Sequence, residues 1–429
     1  MIVRAPRLEV EGPEAALRAR IEFEDSGREP FDLRFGMPRD LADQLDTSSN
    51  AFVPLATLLA ARTGEDVRLE APASARMVAG AGRAAAMFAD WWQYRPPAIH
   101  AEPTDRRPAG KGVAVMFSRG VDTSATLIRS LRGEIPERVT HLVSGHAIEW
   151  CYSDAVAEAI WHDHQRAADE LELPLLRMTS NARDLLKGTI GWPRSFGAAY
   201  IGAALGLGPM LANLVTGATQ PKVGGDPRGS RWDLDPLWST EGTEVRQDAA
   251  ELDRAERVAI VATHPTSVRW LKVCWEGRSA GNCGRCIKCL RTMTALAGEG
   301  VLEQAALFEE PLTPEAVRAA PISELTPPIL PSLPASVPAG MPELRAAWED
   351  KVAEWDDFVR RTARESARER RTAPVRRRLR AAQRSLRRSR RRLRRAPARA
   401  PRYLRRAGKG ARRTRRRLRH SVGRMLGRG

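Results

Sequence analysis

A short turn of polar and small residues is the first place in the sequence where chemistry is expected. It follows an apolar run, residues 113–117, which is typical of a strand buried on both faces of a parallel sheet. Residues 124–131 have the apolar spacing of a helix, so the turn lies where a strand ends and a helix begins. Unpaired N–H groups at a helix N-terminus suit phosphate oxygens, although a generic strand–turn–helix corner has the same pattern. The turn consists of Ser118, Arg119, Gly120, Val121, Asp122, Thr123 and Ser124.

Cysteines supply the second candidate site. Four of the five cysteines are separated by eight, two and two residues, and thiolates at this spacing form a closed tetrahedral zinc site without an open catalytic position. An iron–sulfur cluster is the alternative, because four cysteines also hold such clusters. His264 is surplus to a four-ligand site, and Cys151 stands alone. The predicted Zn²⁺ ligands are Cys274, Cys283, Cys286 and Cys289.

A third candidate lies in residues 224–244, an irregular stretch that contains several glycines and two tryptophans. Long irregular segments after a sheet strand are often functional, and the tryptophans argue against disorder. We therefore predict that this loop faces a substrate, and the alternative is a surface loop pinned by its tryptophans. The candidate substrate contacts are Asp235, Trp238, Ser239 and Glu241.

The elements that must position these residues alternate between strand and helix. This alternation predicts an α/β fold with a doubly wound parallel sheet, in which ligands bind beyond the carboxyl ends of the strands. The uncharged stretch 196–221 is long enough to be questioned as a membrane span, but Pro209 and several glycines favour a buried helix followed by a strand. The predicted strands lie within residues 113–117, 139–145, 174–180, 210–216 and 255–262.

The flanking segments differ in composition from this central part. Residues 1–105 alternate apolar and polar side chains and predict a separate α+β domain without catalytic residues. Residues 302–319 have helical spacing, and the proline-rich residues 321–342 predict an extended linker. The spacing in residues 343–373 predicts a charged helix with one apolar face, which would dock on another surface or form an oligomer.

Charge is distributed very unevenly along the chain. From Arg371 to the end there are 26 Lys and Arg and no acidic residue, and subtracting these from the 70 basic residues leaves 44 against 52 acidic residues. The formal net charge of +18 thus hides a body of net −8. Repulsion predicts that the Arg-rich tail, residues 374–429, is disordered and binds RNA or an anionic membrane surface, and a merely solvated tail is the alternative. The N-terminus has no apolar signal core, so we predict a cytoplasmic location, with the tail as a route to peripheral membrane attachment.

The turn at residues 118–124 resembles the pyrophosphate loop of the PP-loop ATP pyrophosphatases, whose usual form is Ser-Gly-Gly-x-Asp-Ser. Arg119 departs from that form by replacing the first glycine. The cysteine spacing, followed by Leu290 and Arg291, resembles the zinc site of the cyano-deazaguanine synthases of queuosine biosynthesis. The two motifs together cover residues 111–296 and form a more specific pattern than either alone.

The resemblance implies an adenine nucleotide alpha hydrolase-like (HUP-type) fold over residues 111–310, including a zinc knuckle at 274–289. It implies an enzyme that uses ATP and Mg²⁺, forms AMP and pyrophosphate, and adenylates an oxygen of a small-molecule or nucleobase substrate for attack by a nitrogen or sulfur nucleophile. Asp122 and Ser118 would be catalytic, and Thr216 and Gly217 would join the turn in binding ATP.

Two alternatives to this enzyme stay open at the level of sequence. One is an RNA-modifying PP-loop enzyme that holds RNA through its basic tail. The other is a degenerate protein that binds a nucleotide without turnover, because Arg119 either adds a phosphate donor or crowds the loop.

Overall fold

The computed structural model describes residues 1–24, 27–104, 110–146, 148, 153–277, 279–323 and 330–364. Met1–Trp355 forms one compact unit. None of the helices within the described ranges is both long and apolar enough to cross a bilayer. Cys151 and the tail at 374–429 lie outside the described residues, and of the predicted helix at 343–373 the structure describes a helical stretch at 342–364.

The secondary structure alternates from residue 112 onward, as the sequence predicts. The strands of the described chain are β1 (Ile2–Val3), β2 (Arg7–Glu11), β3 (Glu14–Glu22), β4 (Phe31–Pro38), β5 (Val67–Leu69), β6 (Ala73–Ser74), β7 (Ile99–His100), β8 (Pro103–Thr104), β9 (Gly112–Met116), β10 (His141–His146), β11 (Leu175–Ser180), β12 (Leu211–Gly217) and β13 (Glu244–Asp248). The helices are α1 (Val53–Thr63), α2 (Ala75–Trp92), α3 (Val121–Leu131), α4 (Asp154–Glu170), α5 (Ala182–Leu186), α6 (Trp192–Leu205), α7 (Arg254–Ala262), α8 (Pro265–Arg269), α9 (Ile287–Gly298) and α10 (Pro314–Ala319).

A large mixed sheet forms the centre of the molecule. Its strand order is β13-β12-β9-β10-β11-β4-β3-β1-β5-β7, with β2 paired to β3. The five strands from β13 to β11 are all parallel. The coarse prediction of an α/β fold around a mostly parallel sheet is therefore confirmed. From β9 the chain builds outward through β10 and β11 on one side and through β12 and β13 on the other, so the order reverses between β9 and β12, where α/β sheets bind ligands.

The strands of residues 1–105 join this sheet, although the sequence predicts a separate domain there. β4 pairs antiparallel with β11, and Thr179 lies opposite Gly36. A Cβ atom at Gly36 would overlap the side chains of Thr179 and Glu14, so these two side chains occupy the space that glycine leaves open. The pairing covers the edge of β11, which would otherwise expose a row of unpaired backbone groups.

The prediction of a strand at residues 255–262 is wrong, because this segment is helix α7. Its start has a capping box, in which Asp253 accepts the Glu256 N–H at 2.9 Å and Glu256 accepts the Asp253 N–H at 2.6 Å. The fifth parallel strand is instead β13, whose sequence Glu-Val-Arg-Gln-Asp is mostly polar. β13 lies at the end of the sheet, where one of its edges pairs with no strand of the described chain and polar residues are tolerated.

The segment after α9 is more compact than the sequence predicts. The helix predicted at 302–319 is interrupted: a 3₁₀ turn at Leu302–Gln304 and α10 are separated by irregular residues. Within the predicted linker at 321–342, Leu330–Ser336 forms a 3₁₀ segment whose Leu330 is buried in a cluster with Trp348. Ile287 and Leu290 of α9 belong to the same cluster, so the segment packs on α9, and Trp348 Nε1 donates to Thr294 Oγ1 of α9 at 2.9 Å.

Candidate functional site

The polar turn lies between β9 and α3, at the reversal point of the strand order. Gly120 is the N-cap of α3, and the first intrahelical bond runs from the Ser124 N–H to the Gly120 carbonyl at 2.9 Å. The amides of Val121 to Thr123 therefore precede the hydrogen-bonded ladder and belong to the first helical turn. Ser118 Oγ accepts the Gly120 N–H at 3.3 Å and lies 3.2 Å from Thr123 Oγ1, which holds the turn in shape.

Arg119 turns its side chain into the molecule. Its φ of 56° is left-handed, and its side chain is 1% exposed. Nη1 donates to the Trp270 carbonyl at 3.4 Å and lies 3.6 Å from the Asp163 carboxylate of α4. In the described part of the chain no hydrogen-bond partner reaches its Nε or Nη2. Burial lowers the pKa of Arg119 to about 10, because an apolar environment disfavours the charged form.

His164 lies next to this buried guanidinium and was not predicted from the sequence as a site residue. It is fully buried, its Nδ1 lies 2.8 Å from the Ile160 carbonyl, and its ring contacts Phe117 edge-to-face at 5.6 Å. Burial, and then the positive charge of Arg119, lowers the pKa of His164 well below its usual range. The imidazole of His164 is therefore neutral, and it packs against Phe117, the residue that directly precedes the turn.

Asp122 is the acidic residue of the turn and is held by two arginines. Its Oδ1 accepts Arg257 Nη1 at 2.7 Å and Arg254 Nη1 at 2.8 Å. Arg257 is 1% exposed and also donates to the carbonyls of Ala218 and Leu252. Burial alone would raise the pKa of Asp122, but the surrounding cations outweigh it and hold the pKa below its usual range. These contacts fix the first turn of α3 against the end of β12.

More positively charged side chains surround Asp122 than its single negative charge can neutralise. Besides Arg254 and Arg257 on α7, the charges of Lys288 and Arg291 on α9 act on this carboxylate. Burial lowers the pKa of Arg291 to about 9, and among the described residues Arg291 Nε and Arg254 Nη2 are buried without a hydrogen-bond partner. Such donors next to a helix N-terminus form an environment suited to an anion. We call Arg254, Arg257, Lys288 and Arg291 the basic cluster.

Sequence reasoning missed the basic cluster because it depends on long-range packing. Arg257 belongs to the segment at 255–262 that was interpreted as a strand and Arg254 directly precedes it, so the helical face that they share was not recognised. Arg291 follows the last cysteine by two residues, and that proximity was the one available signal.

Thr216 and Gly217, predicted to join the turn, do lie beside it at the end of β12. A Cβ atom at Gly217 would stand 2.6 Å from the Asp122 carbonyl oxygen, so only glycine lets α3 approach this closely. Thr216 donates through Oγ1 to Asp235 Oδ2 at 2.8 Å and thus faces the loop at 224–244.

The structure places most of the predicted substrate contacts of that loop inside the molecule. Asp235, Trp238 and Ser239 are each fully buried. The ring of Trp238 lies 6.5 Å from that of Phe88, and Ser239 Oγ accepts the Val245 N–H at 2.9 Å. Glu241 is partly exposed and accepts the Arg76 N–H at 2.8 Å. The loop is therefore anchored to the sheet and to α2 through these side chains.

Asp235 is the centre of a buried hydrogen-bond network. Its Oδ2 accepts from Ser230 at 2.7 Å, from Thr216 at 2.8 Å and from Gln247 at 3.1 Å. Burial raises the pKa of Asp235 to about 6, although these hydrogen bonds favour the carboxylate. The folded protein therefore binds a proton more tightly here than the unfolded chain does.

We expect the Asp235 network to make stability depend on pH between about 4 and 6. In this window the unfolded side chain, with a pKa of about 3.9, has ionised while the folded one is still protonated, so the free energy of unfolding falls by about 3 kcal/mol as the pH rises. Urea unfolding of the wild type and of Asp235→Asn at several pH values measures the difference. Parallel pH profiles for the two proteins would contradict the assignment.

The four cysteines meet at one point in the structure. Their Sγ atoms all lie within 4.8 Å of one another, and those of Cys283 and Cys289 are 3.9 Å apart. Backbone N–H groups point at the sulfurs, from Cys286 to Cys283 Sγ at 3.3 Å and from Cys289 to Cys286 Sγ at 3.4 Å. All four side chains are buried. The cluster can therefore hold a metal ion such as zinc.

The donor set fits a single tetrahedral ion. Zinc–sulfur bonds of about 2.3 Å place tetrahedral sulfurs about 3.8 Å apart, close to the separation of Cys283 and Cys289. A multi-iron cluster places several metal and sulfide ions between its cysteines and needs wider separations. Hydrogen bonds from Cys286 and Cys289 lower the pKa of Cys274, whereas the hydrogen bond with Cys274 raises the pKa of Cys286. A divalent cation would remove this competition by stabilising all four thiolates.

The comparisons with known proteins add no family assignment. No protein-family model, no curated protein and no solved structure matches the chain. The functional argument therefore rests on the turn, the basic cluster and the cysteine cluster.

Proposed function

We propose that the chain is a PP-loop enzyme that uses ATP, forms AMP and pyrophosphate, and adenylates an oxygen of a small-molecule or nucleobase substrate. The observation that carries this proposal is the basic cluster around the first turn of α3. It stands at the reversal point of a parallel sheet, where α/β proteins bind ligands. The four cations and the helix N-terminus together suit a polyanion such as a triphosphate.

In this proposal the β- and γ-phosphates lie against the amides of Val121 to Thr123. The hydroxyl groups of Ser118 and Thr123 are partly exposed and add donors, whereas Ser124 is buried within α3. Arg254 Nη2 and Arg291 Nε, which have no hydrogen-bond partner among the described residues, supply charge-assisted hydrogen bonds. Asp122 acts by orienting the turn, since Arg254 and Arg257 already hold its Oδ1 atom.

The reaction would depend mainly on positioning and charge. A substrate oxygen attacks the α-phosphate, the bond from that phosphorus to the bridging oxygen breaks, and pyrophosphate leaves. Mg²⁺, when bound to the phosphate oxygens, would neutralise part of the charge that develops on the leaving group. The arginines of the basic cluster would stabilise the rest, and the nitrogen or sulfur nucleophile would then displace AMP.

The finer fold assignment belongs to this proposal. The order β13-β12-β9-β10-β11, with the turn directly after the central strand β9, is compatible with the HUP-type fold that the resemblance implies. The cysteine cluster is closed by four sulfurs and leaves no site for substrate, so we assign zinc a structural role.

A nucleotide-binding protein without turnover is the second candidate. It is favoured by Arg119, whose left-handed backbone and buried side chain depart from a glycine loop. The RNA-modifying alternative depends on the tail at 374–429, which lies outside the described residues, and it stays a prediction.

ATP binding tests the proposed site directly. We expect Arg254→Ala and Arg291→Ala to raise the Kd for Mg-ATP by at least about tenfold each, because a charge-assisted hydrogen bond contributes about 1.5–3 kcal/mol. Arg269→Ala is the matched control, since Arg269 is 55% exposed and pairs with Glu170 on the surface. Titration calorimetry measures the affinities.

Two results would separate the candidates. Wild-type affinity in both cluster variants would exclude the basic cluster as the phosphate site. ATP binding without release of pyrophosphate or AMP, across a panel of carboxylate and nucleobase substrates, would favour binding without turnover.

A further inference from the structure

A backbone hydrogen bond joins the polar turn to the chain segment that leads into the cysteine cluster. The Lys272 N–H donates to the Arg119 carbonyl at 2.9 Å, and Lys272 precedes the first metal ligand, Cys274, by two residues. The same segment passes close to Gly120, because a Cβ atom added to Gly120 would lie 3.9 Å from the Lys272 carbonyl oxygen. Any movement of residues 271–274 would therefore reach the turn directly.

Asn282 fixes that segment of chain. Its side chain is fully buried, and its Oδ1 accepts the N–H groups of Val273 at 2.7 Å and Cys274 at 3.0 Å. Its Nδ2 donates to the Leu271 carbonyl at 2.7 Å. The side-chain amide of Asn282 thus holds the backbone on both sides of Lys272. Asn282 itself directly precedes the second metal ligand, Cys283. The Lys272 ammonium also donates to the carbonyl of Gly281.

Asn282 is itself anchored from the opposite side. Its N–H donates to the Leu307 carbonyl at 2.7 Å, and its carbonyl accepts the Glu309 N–H at 2.9 Å. Apolar packing makes a second connection, because the cysteines and the inner faces of α3 and α7 form one hydrophobic cluster that includes Val121 and Val258. The metal centre and the first turn of α3 therefore share both a hydrogen-bonded path and a core.

We propose that Asn282 is a positioning residue that couples metal occupancy to the shape of the nucleotide turn. Arg119 has a left-handed backbone, which a non-glycine residue keeps only where surrounding contacts impose it. The bond from Lys272 to the Arg119 carbonyl is one such contact. Loss of the metal frees the cysteines, residues 271–274 lose their support, and the turn relaxes away from the shape that presents its amides to phosphate.

The consequence for ATP rests on the proposed function, whereas the coupling itself does not. Hydrogen exchange of the turn amides reports the coupling without any nucleotide. Titration with a fluorescent ATP analogue reports its functional effect. The two readouts can therefore fail independently.

The experiment uses the full-length, zinc-loaded protein and the variant Asn282→Ala. We expect the variant to keep its zinc, exchange of residues 117–124 to become about tenfold faster, and affinity for the ATP analogue to fall about tenfold. Ser279→Ala is the matched control, because the Ser279 hydroxyl of the knuckle donates to the Glu309 carboxylate and makes no hydrogen bond with residues 271–274 within the described part of the chain. It should behave as the wild type in both measurements.

Stepwise removal of zinc from the wild type by a chelator gives a second, independent test. We expect exchange at 117–124 to rise in proportion to the zinc removed, and this test decides the matter if Asn282→Ala loses its metal or fails to fold. Unchanged exchange at 117–124 in zinc-depleted wild type, or in a zinc-retaining variant, would overturn the coupling. Exchange that follows zinc in a protein that binds no ATP would support the coupling and count against the proposed function alone.

Discussion

Cys289→Ser is expected to release the metal ion and unfold the region around α9. Cys289 is fully buried, and its sulfur lies 3.9 Å from that of Cys283. Structural zinc sites contribute on the order of 10–16 kcal/mol of apparent binding free energy, which is comparable to the whole stability of a typical domain. Loss of one thiolate should therefore be one of the most damaging single substitutions in the chain.

Elemental analysis and thermal unfolding measure this effect. We expect one zinc per wild-type chain, none in Cys289→Ser, and a lower or broadened unfolding transition in the variant. Cys151→Ser is the control, because it removes the one cysteine outside the cluster and should leave the metal content unchanged. A fully folded protein that contains no metal under reducing conditions would refute the metal centre. Visible absorption from bound iron would change the identity of the ion but not its site.

Asp122→Ala should lower the free energy of unfolding by about 3–5 kcal/mol, because removing one partner of a buried ion pair leaves the other charge unpaired. The affected partner is Arg257, which is 1% exposed and lies 2.7 Å from the carboxylate. The sequence alone predicts that this substitution abolishes pyrophosphate release and leaves the fold intact. The structure adds a stability cost, since the same carboxylate holds α3 against α7.

Asp350→Ala provides the comparison for this variant. Its ion pair with Arg318 has a similar length, 3.0 Å, but both side chains are exposed, so its loss should cost at most about 1 kcal/mol. The Asp122 contribution should also depend on pH. Because the folded pKa lies below the unfolded value of about 3.9, the contribution is fully present above that pH and is lost as the pH falls through the folded pKa. Equal stability of wild type and Asp122→Ala at neutral pH would contradict the ion-pair account.

Local sequence patterns predicted the parts of this protein that depend on nearby residues. The apolar run before Ser118 and the helical spacing after it correctly predicted the junction of β9 and α3. The spacing of the four cysteines predicted that they meet, because short loops between ligands limit where the sulfurs can go. The break at Pro209 correctly separated α6 from β12.

Tertiary structure decided everything that depends on distant partners. The apolar residues of α7 are compatible with a strand or a helix in sequence, and packing of one face on α3 and α9 selects the helix. The polar segment β13 is a strand because it pairs with β12 at the edge of the sheet. Likewise, the sequence allows the Arg119 side chain to face a phosphate or the interior. It faces the interior because Asp163 of α4 and the carbonyl of Trp270 hold it there. The sequence by itself determined which groups are available for chemistry and how neighbours along the chain are spaced. Which of those groups meet across the fold depends on burial and pairing between segments that are distant in sequence, and that information is not contained in local periodicity.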